Sequence, residues 1–238
     1  MKRDGLFITG TDTGVGKTVV TAALAAGLRA AGRPVRALKP LATGSLPPSE
    51  DAVLLGQAAG HRPQSWLTLH TAASPARAAK EADEELFMHE IIDWIEEQEG
   101  EPLLVEGVGG WRVPIVGRST IADLAVALGF PVLVVAANKL GVLNHTLLTV
   151  DAIRASGCRV AGVVLNDAFE CHVDLARWNL EDLREQLDVP VVSLPQIAVL
   201  WMRTRTSLGP TSGKATSPIQ MPGSRLFLIK ARMEVWLM

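Results

Sequence analysis

Residues 8–18 read Ile8-Thr9-Gly10-Thr11-Asp12-Thr13-Gly14-Val15-Gly16-Lys17-Thr18. The apolar run before them, 6–9, suits a strand that feeds a glycine-rich turn. Lys17 opens a stretch rich in Ala, Leu and Val that runs to Ala31 and meets Gly32, the pattern of a helix with a glycine past its carboxyl end. A strand, a glycine-rich loop and a helix starting at Lys-Thr make a phosphate-binding loop. Its backbone N–H groups and the helix start form a positive nest for phosphate oxygens. Gly14 and Gly16 let the backbone approach without a Cβ in the way. Lys17 can neutralise β- and γ-phosphate charge, and the Thr18 hydroxyl can ligate Mg²⁺. Five residues separate Gly10 from Gly16-Lys17-Thr18 where the strict pattern has four, so Thr11 stands at its first position.

Outward from this loop the chain alternates short apolar runs with helix-like stretches. Strands are expected at 35–38, 103–105, 132–136, 160–165 and 191–193, and helices at 51–59, 86–98, 120–128, 142–156 and 172–187. The continuous apolar runs suit parallel strands covered on both faces. Strand–helix alternation predicts an α/β fold: a P-loop NTPase-like, doubly wound, mostly parallel sheet flanked by helices. Ligands of such sheets bind beyond the carboxyl ends of the strands.

The 238 residues are 48% hydrophobic and 20% charged, enough for a sizeable core. No apolar run approaches the roughly 20 residues of a membrane span, and the start MKRDGLFITG lacks a signal-peptide core. Two cysteines, Cys158 and Cys171, make neither a disulfide scaffold nor a metal cluster, which points to the reducing cytoplasm. A net charge of −2 gives no global reason to expect nucleic acid. The charge is uneven. Residues 201–238 hold six basic residues and one acid, against 17 basic and 24 acidic residues in 1–200. This break, with the enrichment of the tail in Ser, Thr, Gly and Pro, divides a domain at 1–200 from a basic tail at 201–238.

Four further elements fall on the rim that carries the loop. Lys39 follows the second strand within Leu38-Lys39-Pro40-Leu41-Ala42-Thr43-Gly44. Alone it is an ordinary solvated lysine; beside a phosphate loop it is a candidate clamp for charge developing in phosphoryl transfer. Glu106 ends the run Leu103-Leu104-Val105 and opens Gly107-Val108-Gly109-Gly110. It stands where phosphate-loop proteins place a Mg²⁺-supporting acid. Asp51 is either a Mg²⁺ ligand or a helix cap. Thr18, Asp51 and Glu106 supply the few oxygens that Mg²⁺ takes from a protein. The turn 138–145 opens a helix whose free N–H groups suit an anion such as a carboxylate, and core or capping use is expected of its His145. Asn166-Asp167 follows the 160–165 strand, where an amide can read a base edge by a paired donor and acceptor.

Together GTDTGVGKT, KPLATGS, the EDA around Asp51, VEGVGGW, KLGVLNH and LND, in that order, resemble the dethiobiotin synthetase family over Gly5 to Pro195. The resemblance implies a homodimer that uses ATP and Mg²⁺ to join 7,8-diaminononanoate and CO₂ (or bicarbonate) into dethiobiotin. It implies triphosphate binding by Gly14, Val15, Gly16, Lys17, Thr18 and Val19. Glu106, Gly107, Val108 and Gly109 lie along the nucleotide, and Asn166, with Asp167 beside it, reads the adenine. Thr18, Asp51 and Glu106 hold Mg²⁺. Lys39 and Lys17 are catalytic, and Thr13, Lys39 and Thr43 meet the diamine. Gly141, Val142, Leu143 and Asn144 receive the substrate carboxylate from the neighbouring subunit.

The chemistry needs no side-chain nucleophile. A neutral amine captures CO₂, and the carbamate then attacks the γ-phosphate, so two anions must be brought together. The alternative is a partner-regulated P-loop ATPase switch of the partitioning type. That class carries an extra lysine early in its loop, where this chain has Thr11 and Asp12. Past Pro195 the resemblance ends: Val199 stands where the family places an acid beside the nucleotide, which weakens the expectation for base recognition.

Overall fold

The computed structural model describes residues 3–100, 102–169 and 171–196. The expected tail at 201–238 and Val199 lie outside the described residues. The chain begins with β1 (Gly5–Gly10), α1 (Lys17–Ala30), β2 (Arg36–Leu38), β3 (Leu41–Thr43) and α2 (Glu50–Ala59). β4 (Leu67–Leu69), α3 (Pro75–Glu81), α4 (Met88–Glu96), β5 (Leu103–Gly110), β6 (Pro114–Val116) and β7 (Ser119–Thr120) follow. The remainder is α5 (Ile121–Leu128), β8 (Val132–Ala137), α6 (Val142–Ala155), β9 (Val160–Asn166), α7 (Val173–Gln186) and β10 (Val191–Leu194).

Six strands form the central sheet in the order β10-β9-β8-β1-β5-β2, with every neighbouring pair parallel. The chain winds from β1 out to β2 and back to β5, then crosses to β8, β9 and β10. The topological switch therefore lies at β1, whose carboxyl end is the phosphate loop. Side-chain alternation sends neighbours in each strand to opposite faces. Phe7, Leu103, Val105, Val132 and Val134 pack with Ile91, Ile95, Ile121 and Ile153 on one face. Leu6, Ile8, Leu104, Leu133 and Val135 pack with Val20, Leu24, Leu28 and Leu55 on the other. Both faces of β1, β8 and β9 are buried along their whole length, as the unbroken apolar runs require. No helix among the described residues is long and apolar enough to cross a membrane.

The end of α1 shows how local sequence sets an element. Gly32 takes φ 74°, its N–H reaches the Arg29 carbonyl at 3.0 Å, and the Arg33 N–H reaches Leu28 at 3.0 Å. These paired bonds satisfy the carbonyls a helix leaves open, and the left-handed residue they need is a glycine.

The expected elements form within one or two residues, apart from β5. Expected over 103–105, it continues to Gly110, because Gly110 still pairs with Gly10 across the sheet. The small parallel pair β3–β4, the hairpin β6–β7 and α3 were not expected. Strands of two or three residues carry no readable period. α3 did carry a signal, since Ser74-Pro75 is an N-cap followed by proline at the first helical position.

Candidate active site

α1 begins directly after the glycine turn, with Gly16 in the left-handed region at φ 96°. No side chain caps this helix start and no acid lies in its first turn, so its N–H groups remain for an anion. Thr13 N–H donates to Asp12 Oδ1 at 2.7 Å, which tightens the preceding turn. Lys17 is folded back and buried, and its Nζ donates to the Asp12 carbonyl at 3.2 Å. Burial first, and the nearby Lys39 ammonium second, lower Lys17 to a pKa of about 8.

Lys39, Thr18, Asp51 and Glu106 meet below the loop. Lys39 follows β2 and is 4% exposed; Glu106 lies within β5 and is 1% exposed. Lys39 Nζ reaches Glu106 Oε1 at 2.6 Å, Asp51 Oδ2 at 2.9 Å and the Gly107 carbonyl at 3.3 Å. Burial by itself would lower the Lys39 pKa. The Glu106 and Asp51 carboxylates outweigh it and hold Lys39 above the usual lysine value, so the ammonium stays charged. For Asp51 burial pulls upward, and Lys39 outweighs it to hold the carboxyl below its usual range. Asp51 is not the helix cap. Ser49 caps α2, its oxygen accepting the Ala52 N–H at 3.2 Å, and this frees Asp51 in the first turn to face the loop.

Thr18 Oγ1 lies 2.9 Å from Asp51 Oδ1 and 2.8 Å from Glu106 Oε1. A hydroxyl has one proton and can donate to only one of these oxygens at a time. Such spacings match the edge of a Mg²⁺ octahedron, about 2.9 Å for ligand bonds of 2.0–2.1 Å. Glu106 Oε2 is buried with no partner among the described residues, a further acceptor for a cation or its water. The three oxygens therefore fit a small divalent cation.

A cavity of about 660 Å³ opens over these groups, a size suited to small molecules. Thr13, Thr43, Asp51, Glu106, Val108 and Gly109 are among the residues that line it. Gly14, Gly16, Lys17, Thr18, Val19 and Lys39 also face it. The structure thus gathers every expected phosphate, metal and diamine residue of the first half of the chain except Val15 and Gly107, which are buried behind the cavity wall.

The expected residues of the second half lie elsewhere. None of Gly141, Val142, Leu143 or Asn144 lines this cavity. They form the start of α6, where Gly141 takes φ 92°, no side chain caps the helix, and Asn144 is exposed. The free-donor reading of 138–145 needs correction at three residues, among them His145, whose N–H donates to the Gly141 carbonyl at 3.2 Å. Asn138 N–H donates to the Asn166 carbonyl at 3.0 Å and Val142 N–H to Lys139 at 3.1 Å. His145 is exposed and does not cap the helix, contrary to the core or capping use expected of it.

Asn166, at the end of β9, is 1% exposed and faces neither cavity. Its Nδ2 donates to the Val15 carbonyl at 3.0 Å and its Oδ1 accepts the Ala168 N–H at 3.2 Å. A second cavity, about 590 Å³, lies beside it between the ends of β9 and β10 and the start of α7. Asn138, Asp167, Phe169, Arg177 and Ser193 line it. Burial raises the pKa of Asp167 despite hydrogen bonds from Asn138 and Ser193.

Two side chains here escaped the sequence reading, although Asn138 opens the 138–145 turn that it singled out. Asn138 and Asn179 are both buried, and Asn179 Nδ2 donates to Asn138 Oδ1 at 2.9 Å. Asn138 in turn donates to Asp167 Oδ1 at 2.7 Å and to the Ala176 carbonyl at 3.1 Å. The only signal was Asn138 directly after an apolar strand; Asn179 lies within a polar helix and had none.

Comparison with known proteins finds relatives over most of the chain. The AAA domain family matches residues 4–201. The chain is 46% identical over 173 residues to the ATP-dependent dethiobiotin synthetase BioD of Anaeromyxobacter sp. (strain Fw109-5), covering 70% of this chain and 78% of that relative. It is 39% identical over 197 residues to the BioD of Haloferax mediterranei, covering 81% and 84%. It is 40% identical over 196 residues to the BioD of Pseudomonas aeruginosa PAO1, covering 77% and 86%. Among solved structures, the cell division ATPase MinD of Pyrococcus furiosus matches with a TM-score of 0.54 at 17% identity, covering 98% of both chains. The signal recognition particle receptor FtsY of Elizabethkingia anophelis, in complex with GDP, matches with a TM-score of 0.52 at 14% identity, covering 82% of this chain and 58% of that one. At such identities these two likenesses show the fold alone.

Proposed function

The chain belongs to the ATP-dependent dethiobiotin synthetase family, and from that premise we propose that it converts 7,8-diaminononanoate, CO₂ and ATP to dethiobiotin, ADP and phosphate. The observation that carries the reading is the buried Lys39 ammonium, 2.6 Å from Glu106 and 2.9 Å from Asp51 beneath an uncapped phosphate loop.

The charges explain the parts. Lys17 and Lys39 balance Asp51 and Glu106, so the corner alone is close to neutral while the nucleotide is a polyanion. Thr18, Asp51 and Glu106 would hold Mg²⁺, which when bound supplies charge neutralisation of the phosphates. The N–H groups from Gly14 to Val19 hold the phosphates in line, with Gly107, Val108 and Gly109 along the nucleotide. Thr13, Thr43 and Lys39 line the diamine end. A carbamate oxygen forms a bond to the γ-phosphorus as the bond to the ADP oxygen breaks. Lys39 and Lys17 offset the charge that gathers as these two anions meet. The second amine then attacks the carbamoyl carbon of the mixed anhydride. Phosphate leaves with the bonding pair, and the ring closes with loss of a proton.

The protein acts as a homodimer in the cytoplasm. Two features support the dimer reading: Gly141–Asn144 stand apart from the cavity, and Leu140 beside them is 82% exposed. A second copy would bring this helix start to the diamine carboxylate. Mixing Lys39→Ala with Asn144→Ala chains tests it, since a shared site regains activity in the mixed dimer and a site within one chain does not. Adenine reading by Asn166 with Asp167 also belongs to this proposal. Asn166 spends one N–H on Val15 and one lone pair on Ala168, which leaves one of each, and with the side chain 1% exposed here a base reaches them only if the packing over it opens.

The deciding experiment measures ADP release with Mg·ATP, bicarbonate and 7,8-diaminononanoate, omitting each in turn, with mass detection of dethiobiotin. ADP that depends on the diamine and equals dethiobiotin is expected. Hydrolysis indifferent to the diamine would overturn the reading in favour of a switch ATPase.

A further inference from the structure

We propose that Asn166 is a positioning residue that holds the phosphate loop in its anion-binding shape, separately from any contact with a base. The peptide unit between Val15 and Gly16 is a rigid plane whose C=O and N–H point in opposite directions. Asn166 Nδ2 takes the C=O end at 3.0 Å. Fixing that oxygen behind the loop fixes the Gly16 N–H on the other side, toward the cavity that Gly16 lines. Rotation of the unit turns on ψ of Val15 and φ of Gly16, and on the Gly16 side, at φ 96°, a glycine opposes it least. A flipped unit would present a carbonyl to the phosphates in place of a donor.

The fit between the two residues is close on the other side as well. A Cβ at position 16 would collide with Asn166 Nδ2. Asn166 itself cannot drift. Its Oδ1 is taken by the Ala168 N–H and its carbonyl by the Asn138 N–H at 3.0 Å. Asn138 is braced by Asn179, Asp167 and Ala176 on α7 and the end of β9. A chain of neutral amides thus runs from α7, through the ends of β8 and β9, to the crown of the loop. Among the described residues no hydrogen bond joins it to Lys17, Lys39, Asp51 or Glu106.

The inference rests on the phosphate-loop half of the proposed function and not on the substrate. Its test uses inorganic tripolyphosphate with Mg²⁺, a ligand with phosphates and no base, beside Mg·ATP. Binding is measured calorimetrically, well below the melting midpoint, for the unsubstituted chain, Asn166→Ala and Asn166→Ser. Both variants lose the donor to Val15. Tripolyphosphate affinity is expected to fall roughly tenfold in each, the range for a lost hydrogen bond that leaves a buried acceptor. A fall in ATP affinity with tripolyphosphate unchanged would make Asn166 a base reader only and overturn the inference. A lowered melting midpoint with unchanged tripolyphosphate affinity would make it merely structural and overturn it equally. If the unsubstituted chain binds neither ligand, both readings fall. If it binds both ligands and makes no dethiobiotin, only the ligase reading falls, because the tripolyphosphate comparison still decides this one.

Discussion

Two regions at the carboxyl edge of one sheet are built from opposite materials. Around β1, β2 and β5 the chain buries two cations and a carboxylate, with a second carboxylate half in solvent. Around β8, β9 and α7 it buries neutral amides that bond one another, the backbone and the half-exposed Asp167 carboxylate. A buried charge is tolerated only when opposed and bonded, and a ligand can take over such partners one for one. A buried amide network has no such alternative and serves to fix positions. The first region is therefore fitted to exchange partners during a reaction, and the second to stay as it is.

The sharpest way to break this contrast is Lys39→Ala. Turnover should fall by roughly 10³-fold, as expected when a preorganised charge is removed from a transition state, while the Kd for Mg·ATP moves only a few-fold. Single-turnover kinetics beside calorimetry separates the two, and equal losses in both would return Lys39 to a binding role. Glu106→Gln should come next. Replacing the carboxylate by a neutral amide weakens one of the three cation ligands and should lower turnover by roughly 10²-fold and raise the Mg²⁺ concentration needed for half activity. An unchanged Mg²⁺ dependence would take Glu106 out of the cation site.

Lys17 sharpens the comparison through pH. Its free-state pKa is about 8, and phosphate binding favours the charged form. Below pH 8 the lysine is already protonated and its contribution to ATP affinity is flat. Above it, binding must take up a proton, so the Kd should rise by up to about tenfold per pH unit. A Lys17→Met chain should lose this slope, and a slope that persists would belong to another group.

Asn144→Ala tests the exposed end of α6. A lost hydrogen bond to a charged carboxylate should raise the diamine KM by roughly tenfold and leave the ATP KM unchanged. The smallest effect on chemistry is expected from Asn138→Ala. It should cost about 1–3 kcal/mol of stability by leaving buried polar groups unpaired, read by urea unfolding, with kcat largely kept. A collapse of kcat at unchanged stability would mean that the amide region takes part in the reaction, and the contrast would fail.

How far the sequence could be read divides along the same line. The phosphate loop, Lys39 and Glu106 were visible because charged and glycine residues at strand ends interrupt an apolar pattern, and Asp51 because it stands at a helix start. Their mutual distances were not visible, and neither was Ser49 taking the capping role that left Asp51 free. Asn138 and Asn179 lie 41 residues apart in the chain and meet only because α7 packs across the end of β8. Asn166 was legible as a rim residue, but its bond to Val15 spans 151 residues, and nothing local records it.

The sequence by itself determined the strand–helix order of the central sheet, its two apolar faces, and the loop whose glycines and Lys-Thr suit a phosphate. Those are consequences of local pattern: side-chain period, glycine freedom and helix-end chemistry act within a few residues. Only the tertiary structure decided which charges share one burial site and which amide reaches the back of the loop. Such contacts depend on strand order and helix packing, which bring together residues that have no common local constraint.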